Sequence, residues 1–238
     1  MINLYFCHGR VIQGTSCTIS SHYCKCFEKL SSEDKELLDA SSVVIKYNKR
    51  EIICKQGSFV SHVMYVERGL AKVFINDGIN SLVLKIIPSG NLLGLSSLSE
   101  DQNTYQYSAM AYVESEIKLI DINVFRQLVG RNVEFAKEVI NILSANSLQI
   151  YGRFFCLTHK QAYGRMADIL LCLSKRVFKQ EEFDLPLSRK DLAELSGISP
   201  ETVIRMLKKF SDDGLIHMDG KSIKVLDYDR LIRISEFG

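Results

Sequence analysis

The sequence contains no tryptophan, only three prolines, and no apolar run near the roughly 18 residues that a bilayer-spanning helix needs. A transmembrane helix is therefore excluded. The first ten residues lack a basic stretch followed by a long apolar one, so they do not read as a secretory signal, and a cytoplasmic protein is expected. A large excess of one charge is lacking too: the net charge is +2, and residues 161–238 hold equal numbers of acidic and basic side chains. Bulk charge thus gives no argument for a polyanionic partner, and any such argument must rest on where the charges lie. There is no internal repeat, no low-complexity stretch, no phosphate-cradling glycine loop and no nucleophile–base pair, so no enzyme is expected. The seven cysteines are an odd number, which in a cytoplasmic chain argues against a disulfide framework.

What is present has a clear order. Residues 1–26 are irregular, polar and cysteine-rich, and residues 27–40 read as a short helical region with Ser32 as its cap. From 43 to 122 the apolar pattern has period two. Short strands are expected at 43–47, 51–55, 63–66, 71–75, 82–87 and 117–120, separated by Gly57, Gly69, Gly78, Gly90 and Gly94. Several short strands at near-regular spacing suggest an antiparallel barrel or jelly roll. Within it, Cys54 sits among apolar residues and reads as a small core residue, as Cys156 and Cys172 do further on.

Residues 131–159 have no proline and no glycine before Gly152, and their apolar residues recur at three- and four-residue steps. This predicts a helix of about seven turns or more. Val139, Ile142, Leu143 and Ile150 are the expected seam to a second copy of the chain, the alternative being a helix packed entirely on the barrel.

After a further helix at 161–178, residues 187–210 carry a dense set of local signals. Ser188 and Asp191 have capping-box spacing, and Leu192 and Leu195 give the first helix an apolar side. Ala193 is small where two helices approach, and Gly197 stands where a turn needs a positive φ. Ser199 is an N-cap and Pro200 an N1 residue, so a second helix begins sharply there. Val203, Met206, Leu207 and Phe210 form its buried side, leaving Glu201, Arg205 and Lys208 outward. This is helix-turn-helix register; two ordinary amphipathic helices with a solvated charged face are the bland alternative. Arginine donates two bonds to guanine and glutamate accepts from cytosine, so the outward face suits base edges in a major groove. The expected DNA contacts are Arg189, Ser199, Pro200, Glu201, Thr202, Arg205, Lys208 and Lys221. Lys221 lies in a hairpin around Asp219 and Gly220 that reads as a wing.

Barrel, long helix and winged helix-turn-helix in this order resemble the Crp/Fnr family of bacterial transcription regulators over residues 25–238. Residues 187–210, the stretch Gly164-Arg165-Met166-Ala167, and the barrel turns Gly57, Gly69 and Pro88 to Gly94 carry the resemblance. It implies an α+β fold: an N-terminal antiparallel β jelly-roll barrel, a long dimerisation helix and a C-terminal winged helix-turn-helix. The expected domains are 1–130 for the N-terminal segment and effector-sensing barrel, 131–160 for the dimerisation helix, and 161–238 for the DNA-binding domain. The resemblance further implies a sequence-specific regulator that binds double-stranded DNA as a homodimer at an inverted repeat and contacts RNA polymerase, with no membrane partner. Glu201 and Arg205 match the family's base-reading pair, and Pro200 stands where cyclic-AMP receptor proteins have a further base-reading arginine.

The effector is a separate question. Cyclic-nucleotide members of the family hold the phosphate with a Gly-Glu-Leu turn and an Arg-Ser-Ala strand start. The matching residues are Gly94-Leu95-Ser96 and Tyr107-Ser108-Ala109, which lack both charged partners. Ile150 and Tyr151 stand where the family's Thr-Ser pair meets adenine. Cyclic AMP is therefore not expected. Gly94, Leu95, Ser96, Tyr107 and Ser108 line a pocket for another ligand or are ordinary barrel residues.

Oxygen-sensing members ligate a 4Fe–4S cluster through three closely spaced N-terminal cysteines and one in the barrel. Cys7, Cys17, Cys24 and Cys26 do not have that spacing, and Lys118 occupies the barrel position, so the cluster is not expected. A different metal or redox site using Cys17, Cys24 and Cys26 with His22 is the alternative to unligated thiols. His62 and His159 are the candidates for a haem ligand, though a lone histidine is usually a surface or core residue. His62 is the only histidine between 43 and 122, too few for a metal-dependent barrel enzyme. A dimer whose barrel binds no effector is a further alternative.

Overall fold

The computed structural model describes residues 4–7, 10–13, 24–78 and 81–237. The chain forms two units, Ser20–Ser147 and Leu148–Gly238 with Met1–Ile19, and each is described by itself. In the latter, β1 (Leu4–Cys7) and β2 (Arg10–Gln13) pair as an antiparallel hairpin.

The unit Ser20–Ser147 is the barrel. A short 3₁₀ turn (Cys26–Lys29) leads to α1 (Ser32–Ala40). Its cap is Ser31 rather than the expected Ser32, because the Ser31 Oγ accepts from Asp34 N at 3.1 Å. The strands are β3 (Ser42–Tyr47), β4 (Ile52–Cys54), β5 (His62–Arg68), β6 (Leu70–Asn76), β7 (Ser81–Pro88), β8 (Leu92–Leu93), β9 (Ser108–Ala111) and β10 (Ser115–Asp121). They form two four-stranded antiparallel sheets, β3-β10-β5-β8 and β4-β9-β6-β7. Residues alternate between faces, so Val66, Ile117, Ala71, Val73 and Ile87 meet in one apolar core between the sheets. Cys54 belongs to that core, as expected.

Strand β8 escapes a period-two reading because it has only two residues, and β9 because Ser-Ala-Met-Ala does not alternate apolar with polar side chains. A second helix also goes unseen in the sequence. Residues 122–131 form α2 (Ile122–Arg131), capped by Asp121, whose Oδ1 accepts from Asn123 N and Val124 N. The long helix therefore begins later than expected, as α3 (Val133–His159). Asn132 separates the two with extended backbone, and its Oδ1 accepts from Phe135 N at 3.0 Å.

Helix α3 corrects the expected seam. Phe135, Val139 and Ile142 are 4% exposed or less and pack with Phe125 and Leu128 of α2 in a second barrel cluster, with Leu143 partly buried against it. Val139 and Ile142 are thus committed to their own chain. The exposed stripe lies on the other side: Ile140, Ser144, Ser147, Tyr151 and Phe154, at alternating steps of four and three residues, flanked by Leu148 and Ile150. Of the expected seam residues only Ile150 is fully on this outer surface.

In the unit that starts at Leu148, the remainder of α3 is followed by α4 (Ala162–Cys172). The expected single helix at 161–178 ends instead in a wider π turn (Leu173–Phe178) closed by Lys179 in left-handed conformation. Then come β11 (Glu182–Asp184), α5 (Arg189–Ser196), α6 (Pro200–Asp212), β12 (Ile216–Asp219), β13 (Ser222–Val225) and α7 (Tyr228–Phe237). The strands form a sheet in the order β11-β13-β12, which places the expected wing hairpin on a third strand that the sequence did not announce. Buried Asp168 of α4 accepts from Lys160 Nζ at 2.6 Å and from Ser235 Oγ, tying the end of α3 to α4 and α7. Cys156 is buried beside it, its Sγ 3.5 Å from Asp168 Oδ2, and Cys172 is buried too.

Candidate nucleic-acid interface and barrel site

The α5–turn–α6 segment follows its local code residue by residue. Ser188 Oγ accepts from Asp191 N at 3.1 Å, and Asp191 Oδ2 accepts from Ser188 N at 2.8 Å, a complete capping box. Gly197 ends α5 at φ +63°, and a Cβ there would come within 3.2 Å of Leu157. The conformation therefore calls for glycine, and a Cβ would in addition need the Leu157 side chain to give by a few tenths of an ångström. Arg165 of α4 locks this corner by donating to Ser196 O at 2.7 Å and Lys160 O at 2.6 Å. This role of Arg165 is not legible in its local sequence, because its partner is 31 residues away.

Ser199 caps α6, its Oγ accepting from Thr202 N at 3.2 Å, and Pro200 opens the first turn. Val203, Leu207 and Phe210 are buried, and Met206 is half-buried. Glu201, Arg205 and Lys208 are exposed, as are Ser199 and Lys221, while Pro200, Thr202 and Arg189 are half-exposed. Arg205 Nη2 donates to Thr202 Oγ1 at 3.2 Å, and that hydroxyl lies 3.1 Å from Ser199 Oγ. The guanidinium is thereby held along the outer face. The backbone N–H groups at the start of α6 and the Ser199 hydroxyl hold the Glu201 carboxyl below its usual range, so it is an acceptor near neutral pH. Between Glu201 and Lys208 lies one residue the sequence analysis passed over: Ile204, 54% exposed on the same face. An isoleucine at an outward position of an otherwise well-segregated helix was the available signal.

Tyr163 supports α6 from behind. Its ring packs against Phe210 with centroids 4.4 Å apart, and its hydroxyl lies 3.2 Å from Asp213 Oδ2. Desolvation and that carboxylate push the phenol up to about 12.

In the barrel, Gly94 takes φ +89°, and a Cβ there would sit 3.2 Å from His62 O. Gly94 N donates to Tyr107 Oη at 2.7 Å, and burial pushes the Tyr107 phenol well above its usual range, so it stays neutral. Leu95 is buried in the apolar cluster with Phe125 and Ile142, Ser96 is exposed, and Ser108 Oγ accepts from Gln56 N at 3.0 Å. The structure thus brings Gly94, Ser96 and Tyr107 together but sends Leu95 and Ser108 to different surroundings. Arg126 of α2 fixes the segment after this turn, donating to Leu98 O at 2.9 Å and to Ser97 O and Ser99 O at 3.2 Å.

Cys24 and Cys26 are both buried with their Sγ atoms 2.6 Å apart. The contact favours the thiolate at Cys24 and pushes Cys26 up. Cys17 and His22 lie outside the described residues, and among the described residues no three His, Cys, Asp or Glu side chains gather as a metal site. Lys118 is engaged with Asp39 at 2.5 Å, and His62 Nδ1 with Ser61 Oγ at 2.7 Å. His159 stacks on Phe155 with centroids 4.5 Å apart. No helix among the described residues is long and apolar enough to cross a membrane.

Two family models match the chain: a cyclic nucleotide-binding domain over residues 44–132 and a Crp-like helix-turn-helix domain over residues 164–234. The transcriptional activator protein FnrA of Stutzerimonas stutzeri is 27% identical over 199 residues, covering 80% of this chain and 81% of that protein. The cAMP-activated global transcriptional regulator CRP of Salmonella typhimurium is 26% identical over 185 residues, covering 76% and 88%. Among solved structures, FixK2 from Bradyrhizobium japonicum shares the fold with a TM-score of 0.75 at 20% identity, covering 81% of this chain and 96% of its own.

Proposed function

The chain belongs to the Crp/Fnr family of transcription regulators, and from that premise we propose that it acts as a homodimer reading an inverted-repeat DNA site through α6. The observation that carries the reading is the outer face of α6. It holds an ionised acceptor at Glu201, a positioned fork at Arg205, an apolar contact at Ile204 and a cation at Lys208. Arg205 reads guanine O6 and N7, Glu201 accepts from a cytosine amino group, and Ile204 meets a thymine methyl. Lys208, Arg189 and Lys221 meet phosphates, with the exposed wing residue Lys221 flanking α6. Two copies pair along Ile140, Tyr151 and Phe154, with Ser144 and Ser147 letting the helices approach closely. Pairing sets two half-sites about one helical turn apart. RNA polymerase is the further partner the family implies.

Cyclic AMP is not the effector in this reading. Leu95 is buried among apolar side chains, and Tyr107 presents a neutral phenol already engaged by Gly94. Neither balances a phosphate charge.

Selection of bound sequences from a random pool tests the proposal on wild type and Arg205→Ala. Wild type is expected to return an inverted repeat. Arg205→Ala is expected to lose about 1–3 kcal/mol per half-site and relax preference at one G·C pair. The same repeat at equal stringency from both proteins removes the base-reading role of Arg205.

A further inference from the structure

Two lysines are buried in the sheet formed by β4, β9, β6 and β7, and they are treated differently. Lys72 Nζ stands over the rings of Phe74 and Tyr112, at 5.1 and 5.5 Å from their centroids. Lys85, on β7, is 8% exposed, and among the described residues no ring lies beneath its ammonium. It stands opposite Val73 in register, on the face where Ala71, Val73 and Ile87 make the core. Its Nζ donates to Asn146 Oδ1 of α3 at 2.8 Å. Among the described residues no carboxylate lies within ion-pair distance of it, and no second acceptor meets its ammonium.

This spot is rich in donors and poor in acceptors. The ammonium has three N–H bonds and uses one; the Asn146 amide donates to nothing among the described residues. A buried cation without a counter-charge is costly, and desolvation alone pulls the Lys85 amine down to about 8. A purely structural role would be filled better by methionine or leucine, which cover the same apolar surface without that cost.

We propose that Lys85 and Asn146 bind a small monocarboxylate, one oxygen accepting from Lys85 Nζ and the other from Asn146 Nδ2. The ligand replaces the direct bond between the two side chains. A planar group with two acceptor oxygens matches two donors on facing elements, β7 and α3. One negative charge balances one ammonium, whereas a dianion would exchange one buried imbalance for another. The inference rests on the reading of this chain as a regulator, and it names the class of effector: the ligand bridges the barrel to the inner side of the helix whose outer side carries the proposed seam.

The test uses the full chain, wild type and Lys85→Met, with Lys85→Arg as a second variant that keeps the charge. Thermal unfolding and calorimetry are followed at pH 7 and constant ionic strength with acetate and propionate as probes, phosphate and chloride as comparisons. Wild type is expected to show a saturable rise in midpoint with the carboxylates that phosphate and chloride do not reproduce. Lys85→Met is expected to unfold several degrees above ligand-free wild type and to ignore the carboxylates. An equal carboxylate response in Lys85→Met, a response to phosphate as strong as to acetate, or no saturable response in wild type overturns the proposal. So does a lowered midpoint for Lys85→Met alongside an unaltered Lys85→Arg, which marks the side chain as a structural anchor. DNA binding separates this inference from the functional reading. Proteins that bind an inverted repeat but no carboxylate leave that reading intact, and carboxylate binding without DNA binding does the reverse.

Discussion

The α5–α6 segment and the barrel are stabilised over very different distances along the chain. In the first, Ser188 meets Asp191, Ser199 meets Thr202 and Thr202 meets Arg205, each pair three residues apart. In the second, Tyr105 meets His62 across 43 residues, Ser108 meets Gln56 across 52, and Lys85 meets Asn146 across 61. Short loops close at little entropic cost, so a helix-turn-helix is specified by its own residues. A jelly roll is specified only when distant strands settle on a register. The regions also differ in what they expose: α6 offers charged groups to water, while the barrel encloses two lysines, a neutral phenol and the apolar inner faces of its two sheets.

Helix α3 belongs to both regimes, and opposing substitutions on its two sides give the largest expected effects. Phe154→Asp places a charge in the proposed seam and is expected to cost dimerisation several kcal/mol. Sedimentation should then show monomers while the barrel stays folded. Ile142→Ala, on the inner side, is expected to lower stability by about 2–5 kcal/mol through a cavity beside Phe125 and Leu128, with subunits still paired where folded. A Phe154→Asp protein that remains fully dimeric would move the seam elsewhere.

Lys85 sharpens the comparison from the barrel side through pH. Its folded pKa of about 8 lies below the ordinary 10.5, so between these values the unfolded chain holds the extra proton. Stability therefore rises with pH across that window as far as Lys85 is concerned, by at most about 3 kcal/mol, and the penalty is full below pH 8. Cys54, pushed up to about 11 by burial, acts in the opposite sense above pH 9. The stability of Lys85→Met minus that of wild type cancels the thiol contribution. That difference should be greatest at neutral pH and shrink by pH 10; a flat difference would mean that Lys85 titrates normally.

The smallest expected effect is local to α6. Ser199→Ala removes the cap and should cost about 1 kcal/mol in chemical denaturation. It also frees Thr202, so DNA affinity should fall by more than the stability loss alone explains. A change in stability with no change in DNA binding would show that Arg205 needs no help from the Ser199–Thr202 pair.

How far the sequence could be read follows the same division. The capping box, the Gly197 turn and the Ser199-Pro200 start were all legible, because each signal and its consequence lie within one turn of helix. Ile204 is silent in the sequence for a different reason: helical periodicity marks which positions face outward, but it gives no role to an apolar residue at one of them. In the barrel, the strands with strict alternation were legible, but β8 has only two residues, β9 reads Ser-Ala-Met-Ala without apolar–polar alternation, and α2 falls in a stretch between the last expected strand and the long helix that carries no expected element. Asn132 could have announced that break, since asparagine caps a helix start as serine does.

The sequence by itself determined the order of the parts, the family, the helix-turn-helix and the absence of a charged clamp at Leu95 and Tyr107. These follow from local chemistry and from residue identity at matched positions. Only the tertiary structure decided which side of α3 the barrel claims, and so which side stays exposed. An amphipathic pattern with apolar residues on both sides does not say which of them is buried first. Only the tertiary structure, too, carried Lys85 to Asn146. A lysine in a strand reads as solvated until the strand's register turns it inward, and its burial is set by neighbours tens of residues away.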